Sequence, residues 1–464
     1  MHVVHNRLQH GVGQGGFHSA KVMVRVPNDT EYRFDYVYDC GAVAFGKKSP
    51  LMQSIQSLRL EPRAGSAGKG VINALVLSHY DQDHIVGAKH LAKLYDVRRI
   101  FLPYLSQQEW MLVLASQADR WRDMQIRALH TLATGGGQLF GVDVTMVGPT
   151  GTQDDQADGP ADQPFPPGDD PARPRDDQAK SPPLPKDLVA VAGGGAKPLG
   201  STLPPGANVS LGVPGRTPQQ MAWLLRFWNR GVRQDLLDDL SKKLKSCSFP
   251  MAALSNPKGA KDVLAWLSGA GQRDKAVAAY HAAVNATRPA KTKAVSASHI
   301  ANHISMGLYS GPAEAFSWHH SCYSMRCWDD TGSGEGFWAN RKCCLQKHHP
   351  RQECRTGWLG TGDAPLGQAD VWADFEQRYR KQLEQTISIQ VPHHGAAPKT
   401  GPVFFNPSLL PVSGMNAVLA AGTKNAYGHP EESVKVAIKK AGGLLQLVNE
   451  LKRPGFEESL SYIC

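Results

Sequence analysis

The chain has 464 residues, of which 41% are hydrophobic and 20% charged, and its formal net charge is +10. This length allows two domains, or one domain with a large insertion. No apolar run approaches the length of a membrane span, and the N-terminus lacks the apolar core of a signal peptide, so we expect a cytoplasmic protein without a membrane partner. The positive charge either favours a polyanion such as nucleic acid or serves solubility alone.

Two strands are predicted near the N-terminus. Residues 20–26 alternate between apolar and polar side chains, and residues 34–41 form a neighbouring strand with Asp39 near its end. The glycine-rich residues 11–16 precede a strand rather than a helix, which excludes a dinucleotide-binding loop. The chain therefore begins with β-structure.

The most informative stretch follows a short apolar run at residues 71–77. It holds two histidines and two aspartates within six positions: His79, Asp81, Asp83 and His84. Because a short apolar run bounded by turn residues is typical of a buried strand, these side chains would lie at a strand's C-terminal end, where open α/β sheets carry their chemistry. Imidazole and carboxylate together suit Zn, Mn or Fe, and carboxylates favour the harder ions.

The chain then continues in alternating helices and strands. A helix is predicted after Ile85, a strand at residues 98–103, a further helix over residues 107–133, and a strand at residues 142–149. We assign residues 1–150 to the first half of an α/β fold.

Residues 151–297 interrupt this pattern. Residues 151–216 begin with a stretch rich in Asp, Pro and Gln, and we interpret them as a disordered, low-complexity linker. Residues 217–297 are predicted to be a helical insertion, with helical spacing at residues 221–228 and 263–267. Its lysines either contact phosphates or form a solvated helix face: Lys242, Lys243, Lys245, Lys258 and Lys261.

The second half of the fold is assigned to residues 298–464, with an insertion rich in Cys and His at residues 312–356. These side chains are either the source of an extra structural Zn site within residues 319–354 or free thiols in a loop. They are His319, His320, Cys322, Cys327, Cys343, Cys344, His348, His349 and Cys354.

Three more polar turns each follow a predicted strand in this second half. Asp363 ends the first strand, His393 and His394 follow the second, and His429 stands before Pro430 after the third. A Gly-Asp or His-Pro turn is common by itself. The order of these turns after the His79 stretch makes the set specific.

Together these motifs resemble the metallo-β-lactamase fold, in particular the metallo-hydrolase domain of ComEC-type DNA-internalisation proteins. The His-x-Asp-x-Asp-His pattern resembles the fold's second motif, with Asp81 in place of the usual second histidine. Asp39 resembles the first motif and Asp363 the fourth, and the Pro-His-His-Gly turn that contains His393 is similar to the ComEC-like version. The resemblance covers roughly residues 1–150, 298–311 and 357–445.

This resemblance implies an α/β fold of the αββα metallo-β-lactamase sandwich type, soluble and standalone, with the helical and Cys/His-rich insertions. It implies a site for two divalent metal ions, Zn or Mn. His79 and Asp81 would bind one ion and Asp83, His84 and His429 the other, with Asp363 bridging. His393 is an alternative terminal ligand to His429, and Asn302 or His303 stands near the fold's third motif.

The resemblance further implies a phosphodiesterase or nuclease, in which a metal-bound hydroxide attacks phosphorus. Asp83 would orient the water, and His393 or His394 would assist the leaving oxygen. The expected substrate is a nucleic acid or nucleotide. The alternatives are a small-nucleotide phosphodiesterase, a lactone or thioester hydrolase, and a non-catalytic interaction protein with a degenerate metal site. The sequence leaves the oligomeric state open.

Overall fold

The fold is known from a computed structural model, which describes most of the chain. The described residues are 2–25, 31–63, 65–119, 121, 126–128, 130, 132, 137–150, 188–192, 195–197, 202–203, 207–211, 223–256, 258–286, 301–312, 320–328, 336–343, 355–397, 414–451 and 454–463. Within these ranges, no helix has both the length and the apolar character needed to cross a membrane. The chain is mixed α/β.

The larger sheet contains eleven described strands. They are β1 (His2–His10), β2 (Phe17–Arg25), β3 (Glu31–Cys40), β5 (Ala74–Val76), β7 (Ile100–Pro103), β8 (Gln138–Leu139), β9 (Val142–Val147), β12 (Thr202–Leu203), β16 (His320–Trp328), β17 (Gly336–Cys343) and β22 (Gly455–Ile463). The order is β12-β9-β7-β5-β3-β2-β1-β22-β16-β17, and β8 pairs with β9. The strands from β3 to β12 run parallel, and those from β3 to β17 run antiparallel.

The second sheet contains nine described strands. They are β10 (Leu188–Ala192), β11 (Gly195–Lys197), β13 (Asn208–Leu211), β14 (Leu224–Trp228), β15 (Gly307–Gly311), β18 (Gly357–Gly360), β19 (Thr386–Gln390), β20 (Asn416–Ala420) and β21 (Leu444–Val448). Their order is β11-β10-β13-β14-β15-β18-β19-β20-β21, with a parallel run from β18 to β21. Two short strands, β4 (Val71–Ile72) and β6 (Asp96–Val97), pair separately.

The helices connect these strands. They are α1 (Pro50–Gln56), α2 (Gln82–Ile85), α3 (Ala88–Leu94), α4 (Gln107–Ser116), α5 (Gln234–Ser246), α6 (Ala260–Ser268), α7 (Gln272–Ala286), α8 (Ala369–Gln385) and α9 (Glu432–Lys440). The boundaries of α4 follow from its sequence, because Ser106 and Glu109 form a capping box at its N-terminus.

The apolar core falls into three main clusters that alternate with the two sheets. Between the sheets, Val22 and Tyr36 of the larger sheet join Phe227, Leu308 and Trp358 of the second. The other two clusters each combine one sheet with helices. The first packs α1 and α3–α7 against the larger sheet, and the second packs α8 and α9 against the second sheet. The central strands of each sheet thus pack against apolar clusters on both faces.

A buried polar network also joins the sheets. Nε of Arg7 on β1 donates to Oε2 of Glu458 on β22 at 2.7 Å, and both side chains are at most 2% exposed. The hydroxyl of Ser388, on β19 of the second sheet, donates to Oε1 of Glu458 at 2.5 Å. Nδ2 of Asn416 on β20 donates to the same oxygen at 3.0 Å. The carboxylate is therefore shared by both sheets.

Several predicted elements are confirmed. The strands predicted at residues 20–26, 34–41 and 142–149 correspond to β2, β3 and β9. The helix predicted over residues 107–133 is confirmed only in part, because α4 ends at Ser116 and residues 117–119 form a turn. The strand β1 was not predicted. Its buried positions carry polar side chains such as His5 and Gln9, so its pattern does not read as apolar alternation.

The helical prediction for residues 221–228 is wrong, because Leu224–Trp228 is strand β14. This strand lies between β13 and β15 in the second sheet, and only Arg226 in it is not buried. A strand buried on both faces reads as a continuous apolar run, which periodicity alone cannot distinguish from a buried helix. Further along the predicted helical insertion, α5, α6 and α7 are helical as expected, and residues 287–297 lie outside the described residues.

Two other predicted regions also contain strands. The range 151–216, interpreted as a disordered linker, contains β10–β13 from Leu188 onwards, while residues 151–187 lie outside the described residues. The Cys/His-rich range 312–356 contains β16 and β17, which extend the larger sheet beside β22. The side chains proposed for a structural Zn site there lie outside the described part of the chain.

Candidate metal centre

Polar side chains from both sheets meet at the C-terminal ends of parallel strands. Asp39 is near the end of β3, His79 follows β5, Asp363 follows β18, and His394 follows β19. The two sheets are tied together here, because N–H of Met306 donates to the carbonyl of Ser78 at 2.7 Å. Parallel strands leave their C-terminal ends at one edge of a sheet, where binding sites of α/β folds lie.

The backbone around Asp83 and His84 makes close contact with the residues that follow β3. N–H of Gly16 donates to the carbonyl of Asp83 at 3.0 Å. A Cβ added at Gly41 would lie 2.3 Å from the backbone nitrogen of His84, closer than any real contact. Glycine is therefore required at this position, and it lets α2 lie directly beside Asp39.

Asp39 is the hydrogen-bonding hub under the site. Its Oδ1 accepts the backbone N–H of Ser78 at 2.7 Å, and its Oδ2 accepts the Ser78 hydroxyl at 2.9 Å. Its Oδ2 also lies 2.8 Å from Nδ1 of His84. Since a carboxylate only accepts, Nδ1 of His84 carries the proton and Nε2 is left to face the site.

The same logic fixes the tautomer of His79. The Ser78 hydroxyl donates its one hydrogen bond to Asp39. Ser78 Oγ must therefore accept from Nδ1 of His79, which lies 2.9 Å away. Nε2 of His79 then carries the lone pair. This nitrogen is buried and has no hydrogen-bond partner among the described residues.

His394 repeats the arrangement from the second sheet. Its Nδ1 donates to the carbonyl of Ala420 at 2.7 Å, and its buried Nε2 also lacks a hydrogen-bond partner in the described structure. His79, His84 and His394 thus all hold Nδ1 against a protein oxygen and present Nε2 inwards. This is the usual arrangement of metal-binding histidines, whose other ring nitrogen donates to an oxygen that fixes the ring.

The inward-facing atoms form two groups that fit divalent cations. One group comprises His79, His84 and Asp363, and the other Asp83, His84 and His394; within each group the potential ligand atoms lie within 4.8 Å of one another. Several of these atoms, including Nε2 of His84 and Oδ1 of Asp363, are buried without a directed hydrogen bond to any described residue. Mixed nitrogen and carboxylate donors suit Zn or Mn.

Asp363 lies between the two groups. Its Oδ1 is 3.3 Å from Nε2 of His84 and 3.9 Å from Nε2 of His394, while its Oδ2 is 3.8 Å from Nε2 of His79. Oδ2 also lies 2.6 Å from Nδ1 of His393 and accepts from Nδ2 of Asn302 at 3.3 Å. Each oxygen therefore faces a different group, as a bridging carboxylate requires.

Burial and neighbouring charges shift the pKa values of the histidines and aspartates in this centre. Burial and the neighbouring His84 lower the pKa of His79 to about 4, so this ring is neutral at neutral pH. Burial acts against charge on His84, but the carboxylates of Asp39, Asp363 and Asp83 outweigh it and raise the His84 pKa. Burial likewise opposes charge on Asp83, yet His84 and His394 lower its pKa to about 2. The carboxylates that stabilise a proton on a buried imidazole also favour a metal cation in place of that proton.

The backbone at His393 and His394 is strained. Both residues have left-handed φ values, 47° and 55°, and Gly395 follows at 83°. A non-glycine residue in this region costs about 1–3 kcal/mol and persists only where the surroundings fix it. N–H of His393 donates to the carbonyl of Gly362 at 3.1 Å, next to Asp363. The turn thereby keeps the imidazoles of His393 and His394 close to the carboxylate of Asp363.

His429 lies beside the centre but outside the two groups. Its ring centroid is 5.6 Å from that of His393, and burial, followed by the charges of His393 and His394, lowers its pKa to about 4. Asp81 lies 3.8 Å from Nε2 of His79, and its Oδ1 accepts from Gln117 at 3.1 Å. The structure thus places His394, rather than the expected His429, next to Asp83.

Two contributors were missed or left open by sequence reasoning. Ser78 was given no role, although its position directly before His79 is the signal that could have revealed it. Asn302 was one of two options near the third motif. It is 2% exposed and its Nδ2 lies 2.9 Å from Nδ1 of His393, whereas His303 is half-buried.

Comparisons with known proteins do not identify this chain. No protein-family model matches it, and a search of curated proteins found no relative. Any functional conclusion therefore rests on the residues and their geometry.

Proposed function

We propose that this chain is a metal-dependent phosphodiesterase, most specifically a nuclease, built on the αββα metallo-β-lactamase sandwich that its motifs resemble. The observation that carries the proposal is the set of three buried imidazoles, each with Nδ1 tied to a protein oxygen and Nε2 facing the carboxylates of Asp83 and Asp363. The alternation of helical layers with two facing sheets supports the fold.

The proposed centre holds two divalent cations. His79, His84 and Asp363 would hold the first, and Asp83 and His394 the second, with His84 and Asp363 close to both. Such a pair supplies a nucleophilic water at neutral pH and neutralises charge on a phosphodiester.

The chain's own groups complete the proposed reaction site. Asp83 and His393 are partly open to solvent, with side chains 20% and 15% exposed. Asp83, whose Oδ2 lies 3.3 Å from Nε2 of His394, would orient a water, and His393 would contact a phosphate oxygen. The side chains of His79, His84, His394 and Asp363 are at most 4% exposed.

Nucleic acid is the proposed substrate class. The net charge of +10 favours a polyanion, and the lysines of α5 add cationic side chains on an exposed helix face. Binding that depends on backbone phosphates should weaken steeply with salt.

The test has two readouts. Purified protein is loaded with Mn or Zn, its metal content is measured by mass spectrometry, and cleavage of single- and double-stranded DNA is followed on gels. We expect His84→Ala to lose both metal and cleavage. The matched control, His281→Ala on the exposed face of α7, should keep both.

Either of two results overturns the proposal. Wild type that binds metal at full stoichiometry but cleaves no DNA would exclude the nuclease. Turnover of a chromogenic phosphodiester alone would then indicate a small-nucleotide enzyme. Wild type that binds no metal would exclude a metal-dependent enzyme altogether.

A further inference from the structure

A row of aromatic rings leads from the metal centre to solvent. Next to Asp363 lies His393, next to His393 lies His429, and the ring of Tyr427 stacks on His429 at a centroid distance of 6.1 Å and an interplanar angle of 12°. Exposure rises along the row, from a 4% exposed side chain at Asp363 to 55% at Tyr427. The outermost ring is therefore accessible and lies beside the candidate site.

The loop that carries Tyr427 is fixed in place. Oδ1 of Asn425 accepts the backbone N–H of Tyr427 at 3.1 Å and that of His429 at 3.0 Å. Nδ2 of the same side chain donates to the carbonyls of Gly422 and His429, at 2.7 Å and 2.6 Å. The Asn425 side chain thus bonds to the backbone at both ends of the loop. The exposed aromatic ring on this loop is therefore held in a defined position before any ligand binds.

Exposed apolar side chains also lie on the neighbouring loop after β3. The carbonyl of Gln14 accepts N–H of Val43 at 2.8 Å, and its side-chain oxygen accepts N–H of Gly422 at 3.4 Å, so the loops after β3 and β20 are neighbours. Val43 and Phe45 on the first loop are 48% and 36% exposed. Two neighbouring loops therefore carry exposed apolar or aromatic side chains.

We infer that Tyr427 is a stacking platform for an unpaired nucleobase whose neighbouring phosphate enters the metal centre. This inference rests on the proposed function and narrows its substrate class to single-stranded nucleic acid. An exposed aromatic ring accepts any base through its π-face, whereas bases inside a duplex have both faces covered. The exposed Lys424 on the same loop adds a cation for the phosphate backbone.

The test compares substrates that differ only in their bases. Two labelled single-stranded oligodeoxynucleotides are used, one ordinary and one with abasic positions around the cleavage point, so that the phosphates are matched. Wild type, Tyr427→Ala and Tyr427→Phe are assayed with metal. Phe140→Ala is the control, because Phe140 is another exposed aromatic residue but precedes the parallel strand β9, whereas the site lies at the C-terminal ends of the parallel strands.

The expected result is selective. Because base stacking on an aromatic side chain is worth about 1–3 kcal/mol, Tyr427→Ala should raise KM for the ordinary strand by about 5- to 140-fold and leave kcat nearly unchanged. Tyr427→Phe and Phe140→Ala should behave as wild type. On the abasic strand, Tyr427→Ala and wild type should be alike.

Two results overturn the inference: an unchanged KM for Tyr427→Ala on the ordinary strand, or an equal loss on the abasic strand. Failure of the proposed function gives a different pattern, because wild type then cleaves neither strand. In that case fluorescence anisotropy with the same oligonucleotides still decides the inference. Equal affinities of wild type and Tyr427→Ala would overturn it, and weaker binding of the ordinary strand alone would support it.

Discussion

Nδ1 of His84 lies 2.8 Å from Oδ2 of Asp39, and neither side chain is exposed to solvent. The same carboxylate receives two hydrogen bonds from Ser78, which in turn accepts from His79. Asp39 therefore sets the tautomers of two imidazoles, one directly and one through a hydroxyl.

Replacing this carboxylate should weaken the metal centre without removing a proposed ligand. Asp39→Asn keeps the side-chain shape and tolerates the left-handed φ of 57°, but it removes the charge and one acceptor. We expect the affinity for Mn or Zn to fall about 10- to 100-fold, as for other residues that orient metal-binding histidines. Calorimetric titration measures this. Asp96→Asn, which alters an ion pair with Arg98, should bind metal as wild type does; equal affinities in both variants would contradict the role of Asp39.

His394 and His429 should differ in their effect on metal content. His394 belongs to the group with Asp83 and His84, whereas His429 lies outside both groups. We expect His394→Asn to lose one of the two cations and His429→Asn to retain both, because asparagine is too short to replace an imidazole Nε2. Asparagine also tolerates the left-handed φ at His394. Metal analysis after dialysis measures the difference, and the reverse result would return His429 to the ligand set.

Breaking the buried ion pair between the sheets should destabilise the fold. Glu458→Ala leaves Arg7 buried without its carboxylate, and it removes the acceptor for Ser388 and Asn416. The expected loss in the free energy of unfolding is about 3–5 kcal/mol, measured by urea titration. Glu31→Ala in the exposed pair with Arg25 should cost no more than about 1 kcal/mol. Similar losses in the free energy of unfolding for the two variants would show that the buried pair stabilises the fold no more than the exposed pair does.

His10 should make stability depend on pH. Burial lowers its folded-state pKa to about 3, whereas an unfolded histidine titrates near about 6.5. Between these values the unfolded chain binds the proton and the folded chain does not, so stability is complete above about pH 6.5 and falls with decreasing pH, by up to about 1.4 kcal/mol per pH unit.

The measurement for His10 compares how much stability wild type and a variant each lose between two pH values. Unfolding of wild type and His10→Gln is compared by urea titration at pH 7.5 and 5.5. The variant should lose less stability between the two pH values, because it lacks this titrating ring, which stacks on Phe17 at 4.1 Å. Equal pH dependence in both proteins would show that His10 stays neutral in the unfolded state as well or ionises in the folded one.

Local features of this protein can be inferred from its amino-acid sequence. Period-two alternation located β2 and β9, and apolar runs located the strands before His79 and Asp363. Since a polar turn directly after a buried strand must emerge at the end of that strand, the histidines and aspartates could be assigned to one edge of an α/β fold. These inferences need only the neighbours of each residue along the chain.

Which of these side chains meet depends on the packing of the two sheets. Asp83 and His394 are far apart in sequence, and their 3.3 Å approach depends on how the sheets face each other and on the left-handed turn at His394. The strand β14 could not be recognised either, because burial on both faces erases the alternation that would mark a strand. Likewise, β1 carries buried polar side chains whose partners, such as Glu458 for Arg7, come from the other end of the chain. Periodicity reports how a segment meets solvent, whereas pairing across the core depends on packing that no single segment encodes.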